Sequence, residues 1–159
     1  MDDAPRCYPR SKHQQPLVHP IGAPRVRPLH GLKIGKDYTM DYDDQNFVKF
    51  AGAMFEAIAF TDLDCPDCET YGAELSEESK AKMESDARQF WDRCKHLIEH
   101  NAIEQAGHDF WLTRNGHGAG FWDRSDDLYL GWDKFLAEVS KEHGEVWICL
   151  GDDGFAHAE

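Results

Sequence analysis

Residues 107 to 123 read Gly-His-Asp-Phe-Trp-Leu-Thr-Arg-Asn-Gly-His-Gly-Ala-Gly-Phe-Trp-Asp, and this stretch constrains the chain more than any other. Alternation from Asp109 to Asn115 puts Phe110, Leu112 and Arg114 on one face and Trp111, Thr113 and Asn115 on the other. That is the period of a strand covered on both sides. Gly116, Gly118 and Gly120 permit a tight turn, and Phe121 and Trp122 resume as a return strand. The stretch therefore predicts an aromatic β-hairpin that carries His108, Asp109, Arg114, Asn115, His117 and Asp123.

The flanking segments supply the helices. Phe47, Phe50, Ala51, Met54, Phe55, Ile58 and Ala59 recur at helical spacing after Asp43 or Asp44, either of which suits a helix N-terminus. Ser76, followed by Glu77 and Glu78, opens a second helix whose buried stripe is Met83, Ala87, Phe90, Trp91, Cys94, Leu97 and Ile98, ending near His100 and Asn101. Ser125, Asp126 or Asp127 is expected to cap a third helix with Leu128, Trp132, Phe135, Leu136 and Val139 inside and Gly144 as its stop. Val146 to Leu150 reads as a third strand before the turn Gly151-Asp152-Asp153-Gly154. The expected fold is thus α+β, a three-stranded, largely antiparallel sheet against three helices in the order α-α-β-β-α-β.

Six of the seven prolines fall between Met1 and Asp41, so residues 1 to 41 are expected to be an extended, basic arm and residues 42 to 159 a single acidic domain. Charge divides the same way. Residues 1 to 36 hold seven Lys/Arg and two acids, and the remainder holds ten against twenty-eight. A body this acidic repels nucleic acid and membranes and attracts basic surfaces, so direct contact with nucleic acid is expected only through the arm. No run of eighteen apolar residues occurs and the first residues are polar, which predicts neither a membrane span nor a secretory signal. Five cysteines without such a signal are expected to be reduced thiols, with Cys94 and Cys149 in the core.

The hairpin motif resembles a family of small uncharacterised proteins encoded by tailed bacteriophages, with the similarity running over roughly residues 45 to 154. The arm and the Cys65-Pro66-Asp67-Cys68 segment stand outside it. The resemblance implies a phage accessory protein working in the cytoplasm of an infected bacterium. Phe110 to Gly116 followed by Gly120-Phe121-Trp122 is also similar in pattern to ArdB-type antirestriction proteins, an analogy at the level of one hairpin.

Three functions remain open on these residues. In the first, Glu69, Glu74, Glu77, Glu78, Glu84 and Asp86, with Asn115 and Asp123, face the basic surface of a host nucleic-acid-handling or defence protein, which the chain inhibits by binding. In the second, His108, Asp109, Arg114 and His117 form the site of a metal-dependent hydrolase, with Asp152 and Asp153 as further ligands. The third is a virion or scaffold component using exposed aromatics. The binding reading requires no cofactor. Zinc or another divalent ion is what Cys65 and Cys68, half of a four-ligand set, or Asp152 and Asp153 can contribute to. His96 and His100 lie one helical turn apart and are expected at a solvated surface.

Overall fold

The computed structural model describes residues 41–64, 66, 68–124 and 128–159. The expected basic arm, apart from Asp41, lies outside the described residues, as do Cys65 and the cap positions Ser125, Asp126 and Asp127. Among the described residues are four α-helices, α1 (Tyr42–Ile58), α2 (Glu77–Cys94), α3 (Ile103–Arg114) and α4 (Asp133–Glu142), and two short strands, β1 (Ile148–Leu150) and β2 (Ala156–Ala158). The strands form one antiparallel pair with Cys149 opposite His157. This replaces the expected three-stranded sheet.

The largest correction concerns the motif itself. Its first half is not a strand but the C-terminal two turns of α3, and its second half is a glycine loop followed by a short 3-10 turn at Phe121–Asp123. The helical period starts four residues before the motif, where Ile103, Ala106, Gly107, Phe110, Trp111 and Arg114 all lie on buried positions. Phe110, Trp111, Thr113 and Arg114 are buried and Leu112 only half-buried, the i, i+1, i+3, i+4 spacing of one helix face.

Gly107 explains why a helix there tolerates its poorest common helix former. It faces α1 where the two helices meet, and a Cβ at that position would sit 2.1 Å from the Phe50 carbonyl oxygen. Glycine costs about 1 kcal/mol of helix propensity relative to alanine. The close approach offsets this by bringing Phe50, Phe90 and Phe110 into one stack, with ring centroids 4.6 to 5.9 Å apart. Phe90 also meets Phe121 at 5.8 Å, and Phe121 meets Tyr129 edge-on at 4.9 Å. One aromatic column thus joins α1, α2, α3 and the loop after the motif.

The two other helical stripes follow the sequence closely. In α1 Phe47, Phe50, Ala51, Met54 and Ile58 are buried and Phe55 half-buried, as is Ala59 just beyond its end. Asp41 precedes its first turn, and Asp43 and Asp44 lie within that turn and not at the cap. There Asp43 bonds Lys95 and the Trp91 indole, and Asp44 bonds Arg88, fastening α1 to α2. Ser76 caps α2 as expected, its hydroxyl accepting from the Ser79 amide at 3.2 Å. The predicted stripe is buried throughout, although α2 itself stops at Cys94 and 3-10 turns follow at Lys95–Leu97 and His100–Ala102. Burial pushes the Cys94 thiol up to about 11, an inert core group.

The C-terminal third departs further from expectation. Leu130 and Gly131 both take positive φ, 52° and 76°, and α4 begins only at Asp133, leaving Trp132 exposed. Gly144, at φ 75°, ends the helix region as predicted. Cys149 is half-buried on β1, not in the core. Its partner β2 reaches back to the start of α2. The Ala156 amide donates to the Glu74 carbonyl at 2.8 Å and the Ser76 amide to the Ala156 carbonyl at 2.9 Å.

If the α1–α3 approach rests on the missing side chain, Gly107→Ala forces the helices apart and costs about 2 to 3 kcal/mol by urea denaturation. Gly52→Ala, on the exposed side of α1 with open space around it, is the control, and it stabilises by up to about 1 kcal/mol through helix propensity alone.

Candidate functional site

The polar residues of the motif are spread over separate surroundings. Asp109 is fully buried and accepts from four groups. Arg124 reaches it from the loop through Nε and Nη2, the closest contact being 2.6 Å, Tyr129 donates its hydroxyl at 2.6 Å, and Gln105 donates from one turn earlier at 3.1 Å. Burial and the neighbouring carboxylate push the Tyr129 phenol far up, so it stays protonated and donating. This is a buried charge neutralised on every side, and it holds residues 124 and 129 against α3.

Arg114 is equally internal. Its guanidinium pairs with Asp86 of α2 at 3.1 Å and donates to the carbonyls of His143 and Gly144, both at 2.9 Å, at the end of α4. Three helices are joined by one side chain. Burial draws the guanidinium down from its usual range and Asp86 opposes that shift. Asn115 also serves structure, accepting from the Val146 amide at 2.8 Å and donating to the Trp111 carbonyl. Thr113 accepts from the Phe121 amide, and a Cβ on Gly120 would lie 2.3 Å from the threonine hydroxyl oxygen.

The remaining polar groups are on the surface and apart. His108 faces Glu56 at 3.5 Å in a cleft it shares with Phe60, Leu112 and Arg124. His117 lines a different cleft, with Asp62, Asn115 and Glu145. Asp123 is exposed and belongs to neither of these clefts. Asp153 pairs with His157 at 3.0 Å and Asp152 is exposed. Cys68 is half-buried in the turn after α1. Among the described residues no three His, Cys, Asp or Glu side chains stand close enough to hold a metal ion. The hairpin that was to gather His108, Asp109, Arg114 and His117 is absent, and these four do not line one pocket.

A different feature does gather expected residues. The end of α1, the chain at residues 73 to 75 and the first turns of α2 enclose an open groove of about 550 Å³. Its floor is Phe55, Leu63, Ala73 and Leu75, and its rim carries Glu74, Glu77 and Glu84, with Lys80 held by Glu77 at 2.8 Å. Leu63 reaches the groove because α1 continues into one turn of π-helix, Ala59–Leu63, closed by the Asp64 amide on the Ala59 carbonyl. Inside that turn the Thr61 hydroxyl accepts from the Trp111 indole at 3.0 Å and bonds the Ala57 carbonyl at 2.9 Å. Of the acidic stretch singled out in the sequence, Glu74, Glu77 and Glu84 stand on this rim. Asp86 is turned inward to Arg114, and Glu69 and Glu78 are exposed elsewhere.

Ion pairing sharpens the contrast between inside and outside. Six of the ten Lys and Arg in residues 37 to 159, namely Lys80, Arg88, Arg93, Lys95, Arg114 and Arg124, are in ion pairs. The acids outnumber them nearly threefold, so the outward field is negative. No helix among the described residues is long and apolar enough to cross a membrane. The chain, compared with protein families, curated proteins and solved structures, matches none of them.

Two outcomes check this assignment of the motif to structure. Arg124→Ala leaves Asp109 buried without its counter-charge and costs about 3 kcal/mol or more in denaturant unfolding, and Arg124→Lys, which cannot make the two-pronged contact, recovers only part of it. The second is pH. The His143 ring packs edge-on against Phe110 at 5.4 Å, facing Arg114, Asp86, Glu142 and Arg93, and burial followed by Arg114 lowers its pKa. A histidine lowered on folding gives stability that is present above about pH 6.5, its unfolded value, and is lost as pH falls through the folded value. The urea midpoint of the wild type therefore drops on acidification below pH 6.5 by more than that of His143→Gln.

Proposed function

We propose that the chain is a binding protein whose acid-rimmed groove docks a basic surface with an apolar centre on a host nucleic-acid-handling or defence protein, inhibiting it. The observation that carries this reading is the groove itself. Glu74, Glu77 and Glu84 surround an apolar floor of Phe55, Leu63, Ala73 and Leu75. An apolar centre within a charged rim is how protein interfaces divide labour, the centre supplying affinity and the rim steering and selecting the partner.

The enclosing field supports the same partner class. With twenty-eight acids against ten bases over residues 37 to 159, encounter with a cationic groove is fast and encounter with nucleic acid is opposed. Inhibitors of this kind occupy a surface meant for phosphates and require no catalytic group of their own. The resemblance of residues 107 to 123 to a tailed-phage family supplies the setting, the cytoplasm of an infected bacterium. The internal use of Asp109, Arg114 and Asn115 fits a motif that builds the scaffold on which the groove stands.

The test compares the wild type with a Glu74→Lys, Glu77→Lys, Glu84→Lys variant as bait in a lysate of a bacterial host, at about 50 and 300 mM salt, with each captured protein then purified and titrated by calorimetry. The expected result is a nucleic-acid enzyme or defence protein that binds the wild type, weakens at the higher salt and is lost on charge reversal. Binding that is indifferent to all three glutamates, or the absence of any protein meeting these criteria, overturns the reading. Phe55→Asp tests the floor separately and abolishes binding at either salt, because a buried carboxylate at the centre of the interface is left unpaired.

A further inference from the structure

Asn46 interrupts the apolar stripe of α1. It is more than nine-tenths buried, next to Phe47 and one turn before Phe50, at a position where leucine or alanine would complete the helix face. Among the described residues nothing hydrogen-bonds its side-chain amide. No sealed side-chain polar atom there lacks a partner, so the amide is open to solvent from one direction. That direction is a cleft of about 280 Å³ between the start of α1, the end of α2 and the turns that lead into α3.

The walls of the cleft are largely apolar, with Asp43, Lys95 and His96 as their polar part. Trp91, Ile98 and Ile103 contribute buried surface to it, and Tyr42 and His100 stand at its mouth, stacked on each other at 5.7 Å and joined by a hydrogen bond between the tyrosine hydroxyl oxygen and Nδ1 at 3.0 Å. A carboxamide offers one donor edge and one acceptor edge in a single plane. Its complement is a planar ring with adjacent acceptor and donor, which is what a nucleobase presents. Asparagine pairs two-pronged with adenine in this way, and aromatic and imidazole rings supply the stacking faces.

Charge decides which form of the base fits. Among the described residues lining the cleft Lys95 is the one Lys or Arg, beside His96 and His100, and its charge is already answered by Asp43 at 2.5 Å and Asp92 at 3.8 Å. The body adds a negative field. We propose that this cleft is a binding site for a neutral nucleobase or nucleoside, adenosine in the first instance, read by the Asn46 amide and stacked against the Tyr42–His100 pair. The site is separate from the acid-rimmed groove and does not depend on it; the two share no lining residue.

The experiment titrates the whole chain, labelled with nitrogen-15, with adenosine, uridine and AMP. Adenosine is expected to shift the Asn46 side-chain amide and the Trp91 indole resonances saturably, with AMP weaker than adenosine. Asn46→Leu is expected to weaken adenosine about tenfold or more, the worth of one two-pronged contact, while raising the thermal midpoint because leucine completes the apolar face of the helix. Tyr42→Ala, an exposed position at the first residue of α1, weakens adenosine severalfold in a protein that remains folded. The proposal is overturned if no nucleoside shifts these resonances at up to about 5 mM, if Asn46→Leu binds adenosine as well as the wild type does, or if AMP binds more tightly than adenosine.

Discussion

The contact of α1 with α3 at Gly107 governs the rest of the molecule. Where the Phe50 carbonyl stands 2.1 Å from a would-be Cβ, only hydrogen fits, and the two helices lie close enough for Phe50, Phe90 and Phe110 to pack as one column. Everything the motif does follows from that closeness. Asp109 and Arg114, on the same helix, are drawn below the surface and must find partners there, because a buried unpaired charge costs several kcal/mol. Arg124 and Asp86 answer them, and in doing so fix the loop after the motif and the end of α4.

A polar motif spent largely on its own interior leaves the acid-rimmed groove and the Asn46 cleft to other parts of the chain. The acid-rimmed groove uses the far end of α1 and the start of α2, and the Asn46 cleft uses the opposite ends of the same two helices. Both features owe their form to irregularities at helix ends. The π-turn at Ala59–Leu63 brings Leu63 to the groove, and the consecutive 3-10 turns between α2 and α3 place His100 against Tyr42. Regular helix would have carried both residues elsewhere.

Much of the helical framework was legible from residue spacing. The stripes of α1 and α2 and the Ser76 cap are local signals, carried by side chains a few positions apart, and the structure holds them nearly as read. The motif misleads because two aromatic pairs flanking a run of glycines imitate a hairpin, whereas the deciding fact, a carbonyl of α1 pressed against Gly107, is a tertiary contact across more than fifty residues. A hairpin would already have put His117 at its tip and His108 at its open end, and the helix separates them in another way. On a helix, His108 and Arg114 face in different directions, and His117 lies beyond its end. Glu77 and Glu84 were found because both are on one exposed run of α2, but the floor beneath them, with Leu63 and Leu75, comes from outside that run. Asn46 did leave a trace, a lone amide among apolar positions of a helical stripe, and pattern reading passes over a single such exception.

The backbone bonds between Glu74 or Ser76 and Ala156 set a condition on when the groove exists. They close a loop of about eighty residues, an entropic cost that is met late, after the local helices have formed. During synthesis the helices of such a chain leave the ribosome well before the strand that braces residues 74 to 76. A nascent polypeptide therefore carries the acidic helix without the shaped floor beside it. A fusion that prises β2 from its place would remove the brace on residues 74 to 76 while leaving the helical spectrum almost unchanged.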